Sequence, residues 1–241
     1  MLILSIMNNS IAEHKIKAIA HIESDFKGKF GIPRQSGIIR ELSAKIVFEK
    51  QYRDINALRG LEKFSHLWLI WQFSENTDYE CFPTVRPPRL GGEERIGVFA
   101  TRSPFRPNSI GLSCVELDHI EVSTKNGPVI IVKGADLLDG TPIYDIKPYI
   151  PYTDAHPQAS CSFAKSEWER KLEVYFPKEL LEQIKEDKQT ALIKVLEQDP
   201  RPAYKEDSDE VYTMSFAGYE VSFMVNNRVL TVTKIELHNA K

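Results

Sequence analysis

The sequence predicts a mainly β protein: an N-terminal single-sheet β-barrel followed by a small C-terminal α+β domain. Three observations carry this. Up to about residue 160 the apolar runs are short, many and separated by turn residues. No strand alternates with a long helix there, and no Gly-x-Gly-x-x-Gly follows a strand, which excludes a Rossmann unit and leaves a closed or nearly closed barrel. Beyond it, one amphipathic stretch precedes three alternating strands.

The first strand is expected within Lys17 to Ser24, where Ala18, Ile19, Ala20 and Ile22 give a mostly buried run. A loop with Gly28, Gly31, Pro33 and Gly37 follows. The second strand is clearest at Ala44 to Phe48, and Asp54 is placed to cap a short helix or turn before Leu61. Phe64 to Phe73 has no polar helical face and reads as a strand buried on both faces. Ile96 to Ala100 reads as one strand between two stiff loops. Ser109 to Val122 reads as a long strand or a bent pair, with room for a bulge at Gly111. Asn126-Gly127 marks a hairpin into Val129 to Ala135. A tight turn at Asp139 to Pro142 begins the next strand. In the second domain, Trp168 to Phe176 can be a strand, and Pro177 to Gln198 reads as one helix with Pro177 at its first position. Val211 to Phe216, Tyr219 to Val225 and Val229 to Leu237 alternate as three strands, with Asn226-Asn227 as a hairpin turn. The expected division is a tail over 1–14, a barrel over 15–157 and an α+β domain over 158–241.

Composition narrows the function. The chain has 241 residues, 42% apolar and 27% charged, an ordinary globular mixture. A net charge of −3 means that any nucleic-acid site must be a local basic patch. Cys81, Cys114 and Cys161 are odd in number and widely spaced, which argues against disulfides or zinc and fits free thiols in a reducing cytoplasm. The histidines form no ligand spacing, so no metal is expected. The apolar start lacks a basic region and is too short for a signal peptide or a membrane span.

The least ordinary stretch is Pro83 to Ser113, PTVRPPRLGGEERIGVFATRSPFRPNSIGLS. Proline fixes φ and removes a donor, so Pro83, Pro87 and Pro88 exclude a helix or a central strand. Two stiff loops carrying Arg86, Arg89, Arg102 and Arg106 suggest a preorganised site for phosphate or carboxylate. A polyproline II ligand or a plain surface loop would carry the same composition.

Val85 to Gly92 (VRPPRLGG) and Gly97 to Gly111 (GVFATRSPFRPNSIG) resemble the TrmO family, also called TsaA-like or YaeB, of S-adenosyl-L-methionine-dependent tRNA methyltransferases. The stretches GIPRQSG at Gly31, ALRGLEKFSHLWL at Ala57, DLLDGTPIYDIKPYIPY at Asp136 and QDPRPAY at Gln198 extend the resemblance from about Lys15 to the C-terminus. It implies N6-methylation of threonylcarbamoyladenosine at position 37 of tRNA, beside the anticodon, by a cytoplasmic homodimer. The alternative that the residues alone leave open is a non-catalytic RNA-binding barrel.

For cofactor binding the resemblance implies Pro33, Arg34, Gln35, His66, Leu67, Arg102, Leu112, Asp139, Gly140, Thr141 and Pro142. Arg34 or Arg102 suits a carboxylate, although Arg102 and Asp139 could instead brace two loops as a salt bridge. For RNA, the expected contacts are Arg86, Arg89, Phe105, Arg106, Arg201 and Tyr204, which supply cations and stacking surfaces. Arg201 is the first choice for the threonyl carboxylate, with Asp199 and Tyr204 positioning the substrate; a capped turn after the helix is the plainer account of that motif.

Overall fold

A computed structural model describes residues 14–76, 82–87, 94–161, 171–201 and 208–238; the expected N-terminal tail, except its last residue His14, and Cys81 lie outside these. Strands β1 (Ala20–Glu23), β2 (Ser43–Phe48) and β3 (His66–Gln72) come first. A small ribbon of β4 (Thr84–Val85) and β5 (Ile96–Gly97) follows, then β6 (Ile110–Thr124), β7 (Gly127–Lys133) and β8 (Pro142–Pro148). Six of these close into a barrel in the order β1-β2-β7-β6-β3-β8, every pairing antiparallel. Side chains alternate across each strand, so Ala20, Ile22, Ile46, Leu67, Leu69, Val115, Leu117, Ile130, Val132 and Ile143 fill the interior. The long β6 changes register at Leu117/His119 and again at Glu121/Thr124, and such bulges let one strand curl around a narrow barrel.

Three expectations need correction. β3 is not buried on both faces: Leu67, Leu69 and Trp71 point inward, while Trp68 and Ile70 are only half-buried on the outside. The outer face is apolar because Trp68 packs on Tyr149 and donates to Asp154, the last residue of a helical turn α1 (Pro151–Asp154). Ile96 to Ala100 is not one strand: two residues pair with β4 and the rest form a 3-10 turn. Pro177 to Gln198 is not one helix. It divides into α2 (Lys178–Leu181) and α3 (Glu186–Glu197), with Pro177 preceding α2. The break lets Ile184 enter the core, and Gln189 donates to the carbonyls of Leu181 and Ile184, satisfying the end of α2.

In the C-terminal part β9 (Glu173–Tyr175), β10 (Ser208–Phe216), β11 (Tyr219–Asn226) and β12 (Val229–Leu237) form a sheet in the order β10-β11-β12-β9. The turn between β11 and β12 is Asn227-Arg228, not the expected Asn226-Asn227, because Asn226 still pairs with Val229; both turn residues take positive φ, which matches the hairpin twist. Helix α3 packs Ala191, Leu192, Val195 and Leu196 against the sheet.

The excursion between β1 and β2 belongs to this second core. Phe26, Ile39 and Leu42 are buried among Met214, Phe216 and Phe223, and Phe30, Tyr212 and Phe223 stack on one another in a three-ring cluster. Polar ties reinforce the contact: Ala217 N–H donates to the Asp25 carbonyl at 2.8 Å, Lys188 pairs with Asp25 at 2.7 Å, and Lys194 pairs with Glu41. Phe26 is 1% exposed and meets Phe216 edge-on at 5.5 Å. Phe26→Ala is therefore expected to cost about 3–5 kcal/mol, the range for truncating a buried aromatic, measured by equilibrium denaturation.

Candidate functional site

The other side of the same excursion faces a cavity of about 630 Å³. Ile32, Pro33, Arg34 and Gln35 form one wall; Trp68, Trp71 and Phe73 form an aromatic one. Arg102 and Arg106 come from the loop after β5, Gly111 and Leu112 from the start of β6, and Asp136, Leu138 and Thr141 from the β7–β8 connection. The volume and the mixture of apolar surface with a few polar groups are those of a small-molecule site.

Glycine at position 111 is required by the aromatic wall. Trp71 lies directly across the β3–β6 pair from Gly111, and a Cβ there would meet the indole at 2.3 Å. The indole Nε1–H donates to Ser113 Oγ at 3.0 Å, and the Ser113 hydroxyl donates to Asp136 Oδ1 at 2.6 Å. Ser113 is 1% exposed, on the inward face of β6 with Val115 and Leu117. A buried hydroxyl needs partners, and this chain supplies them. Burial pushes the Asp136 carboxyl above its ordinary value; the Ser113 bond, nearby backbone groups and the charge of Arg102 partly offset this.

The structure brings together some of the residues singled out in the sequence and separates others. Pro33, Arg34, Gln35, Arg102, Leu112, Thr141 and Arg106 line the cavity. Arg102 donates to Gln35, and Arg106 Nη1 donates to the Thr101 carbonyl at 3.2 Å. His66 does not line it: it begins β3, bonds Ser65 Oγ at 3.0 Å and leans on Tyr149. Leu67 is wholly inside the barrel. Asp139 and Gly140 border a different, polar cavity of about 560 Å³ with His21, Lys27 and Lys188. Asp139 accepts from Ser24 N–H at 2.9 Å and from Lys27 at 2.5 Å, so the imagined Arg102–Asp139 bridge is not formed. Pro142 pairs with His21 at the edge where the barrel closes. Arg86 is exposed beside β4, and Phe105 is half-buried. Arg89 and Tyr204 lie outside the described residues.

Asp199 and Arg201 are joined. Asp199 takes φ +49 just past α3, and both its oxygens accept from the Arg201 guanidinium at 2.9 Å. Arg201 is 5% exposed while the Asp199 side chain is partly exposed, so a buried guanidinium is held by a bidentate pair just past the helix.

Trp68, Trp71, Phe73, Ser113 and Asp136 were not singled out from the sequence. One signal was present: Ser113 falls at an inward position of an alternating strand, and a polar residue there implies a buried partner.

A closed antiparallel barrel with a ligand-sized, aromatic-walled cavity, one wall of which is backed by the C-terminal core, defines the class: an antiparallel-barrel protein with a candidate small-molecule site. Its family follows from direct comparison. The model of the tRNA-methyltransferase O N-terminal domain matches residues 21–155, and that of the TrmO C-terminal domain matches residues 169–238. The chain belongs to the tRNA-methyltransferase O family. It is 39% identical over 234 residues to a tRNA (adenine(37)-N6)-methyltransferase of Escherichia coli K12, covering 94% of this chain and 99% of that one. It is 37% identical over 199 residues to a putative S-adenosylmethionine-dependent methyltransferase, RcsF, of Pseudomonas aeruginosa, covering 80% and 84%. The crystal structure of TrmO from Pseudomonas aeruginosa superposes with a TM-score of 0.75 at 29% identity, over 93% of this chain and all of that one.

Two outcomes are expected from this geometry. Gly111→Ala displaces Trp71, breaks its bond to Ser113 and costs about 1–3 kcal/mol, read by thermal unfolding together with a shift in tryptophan emission. The second concerns pH. Between the ordinary carboxylate pKa of about 4 and its raised value, Asp136 keeps a proton in the folded state that the unfolded chain has released. Stability contributed by this group therefore falls as pH rises through that window, and Asp136→Asn removes the fall. Denaturant unfolding across pH checks it; parallel profiles for the two proteins would contradict the assignment.

Proposed function

We propose that this protein is an S-adenosyl-L-methionine-dependent tRNA methyltransferase acting on N6 of adenosine 37, and that its preferred target is threonylcarbamoyladenosine. The observation that carries the reading is the cavity itself: the Pro33–Gln35 loop, Arg102, Leu112 and Thr141 converge on one ligand-sized space. They do so in a chain that aligns along nearly its whole length with a tRNA (adenine(37)-N6)-methyltransferase.

The residues present fit the cofactor. Trp71 and Phe73, in edge contact at 4.4 Å, offer an apolar surface to an adenine ring, and arginine forks suit a carboxylate. Pro33, Arg34, Gln35, Arg102, Leu112 and Thr141 would hold it, and S-adenosyl-L-methionine supplies an electrophilic methyl group when bound. The N6 lone pair of adenine is delocalised into the ring, so it is a poor nucleophile. The protein's contribution is then to fix the target nitrogen in line and keep water out.

For the RNA, Arg86 and Arg106 lie on the two loops around β5 and would meet phosphate, with Phe105 for stacking. Arg201 already grips a carboxylate, that of Asp199, in the bidentate geometry that a threonyl carboxylate would use. Reading the modified base there requires Asp199 to yield. A homodimer working in the cytoplasm is part of the same proposal; the exposed apolar side chains Ile110 and Leu112 at the cavity favour an apposed surface.

Single-turnover transfer from labelled S-adenosyl-L-methionine to tRNA with and without the threonylcarbamoyl group tests the reading. The expected product is label on N6 of the modified adenosine. Equal labelling of both tRNAs removes the threonylcarbamoyl preference, and RNA binding without any transfer leaves a non-catalytic barrel.

A further inference from the structure

Two carboxylates line the cavity among the described residues, and the reading above uses neither: Glu75 is paired with Lys29 at 3.2 Å, whereas Asp136 is held by the wall. The Asp136 oxygens are served by neutral donors from the wall: the Ser113 hydroxyl at 2.6 Å, the backbone of Ser36 and its own backbone. The cation that acts on it is Arg102, but the Arg102 guanidinium gives its hydrogen bond to Gln35. A half-buried carboxylate is costly to keep charged, and burial does raise its proton affinity. The wall nonetheless holds it by a chain that begins at the Trp71 indole and passes through Ser113.

We propose that Asp136 and Arg102 together receive the amino-acid end of the cofactor, Arg102 taking its carboxylate and Asp136 its ammonium. This rests on the methyltransferase reading. An α-amino acid group carries both charges on one carbon, so it needs an anion and a cation within reach of each other; Asp136 and Arg102 both line this one cavity. A sulfonium has no hydrogen to donate, whereas an ammonium does, and a carboxylate held by directional donors on its wall side is oriented to accept from the cavity side. A carboxylate that served only to brace the wall would not need a cation as neighbour, since Ser113 and the two backbone groups suffice for that.

Titration calorimetry with three ligands decides it: S-adenosylhomocysteine; its deaminated analogue, which keeps the carboxylate; and 5′-methylthioadenosine, which lacks the amino-acid carbons. The wild-type protein is expected to bind S-adenosylhomocysteine about tenfold or more tightly than the deaminated analogue, the scale of one charge-assisted hydrogen bond. Asp136→Asn is expected to abolish that difference and leave 5′-methylthioadenosine affinity within about twofold. Equal wild-type affinity for the first two ligands overturns the proposal with no variant needed. An equal loss on all three in Asp136→Asn makes the residue a brace, and an unchanged affinity for S-adenosylhomocysteine removes it from binding; either result overturns the proposal. Failure of the wild-type protein to bind any of the three overturns the methyltransferase reading as well.

Discussion

The excursion between β1 and β2 is the constraint on which the site depends. One side of it is committed to the C-terminal core through Phe26, Phe30, Ile39 and Leu42, and the other forms the cavity wall through Pro33, Arg34 and Gln35. Gly31 sits at the crossing, with φ +93 and Met214 where its Cβ would be. No L side chain adopts that backbone cheaply, and a Cβ would displace the end of the buried Met214 side chain. The position of the Pro-Arg-Gln segment is therefore decided by packing in a domain that comes more than 130 residues later in the chain. Its rigidity is a packing effect as much as a proline effect.

Inside the barrel the same logic is run with polar groups. Ser113 occupies a place that an apolar side chain would fill more cheaply, yet it is paired on both sides, by the Trp71 indole and the Asp136 carboxylate. A satisfied buried network specifies one arrangement of its members. It links β3, β6 and the β7–β8 connection, three elements that contribute to the cavity. Gly111 makes the network possible by letting the indole lie flat against the neighbouring strand.

Much of the fold was legible because it is written in short-range pattern. Alternation placed β2, β6, β7 and the last three strands, and Asp54 does cap a 3-10 turn through the Asn56 N–H. Misreadings arose where a distant segment changed the meaning of a local run. Trp68 looks like a core residue because the chain around Tyr149 and Asp154 covers it from outside. The helix after Pro177 breaks because Ile184 is drawn into a core built largely by later strands. At the site, the Pro33–Gln35 loop and Arg102 stood out by composition. The Trp71–Ser113–Asp136 chain did not, since its members are 42 and 23 residues apart and only strand pairing joins them. His66, Leu67 and Asp139 show the converse: a motif marks residues together without saying that one cavity holds them.

The barrel is not closed equally all the way round. β3 and β6 pair over seven residues, whereas the β1–β8 ladder has only the pairs Ala20–Ile143 and His21–Pro142, extended by single hydrogen bonds from Ile19 and Ile22. A closed sheet must fluctuate open somewhere, and the cheapest place is the shortest ladder. That seam ends at Thr141, which also lines the cavity. The barrel is thus expected to open first along this seam, and its amide protons to exchange there before those of the β3–β6 ladder.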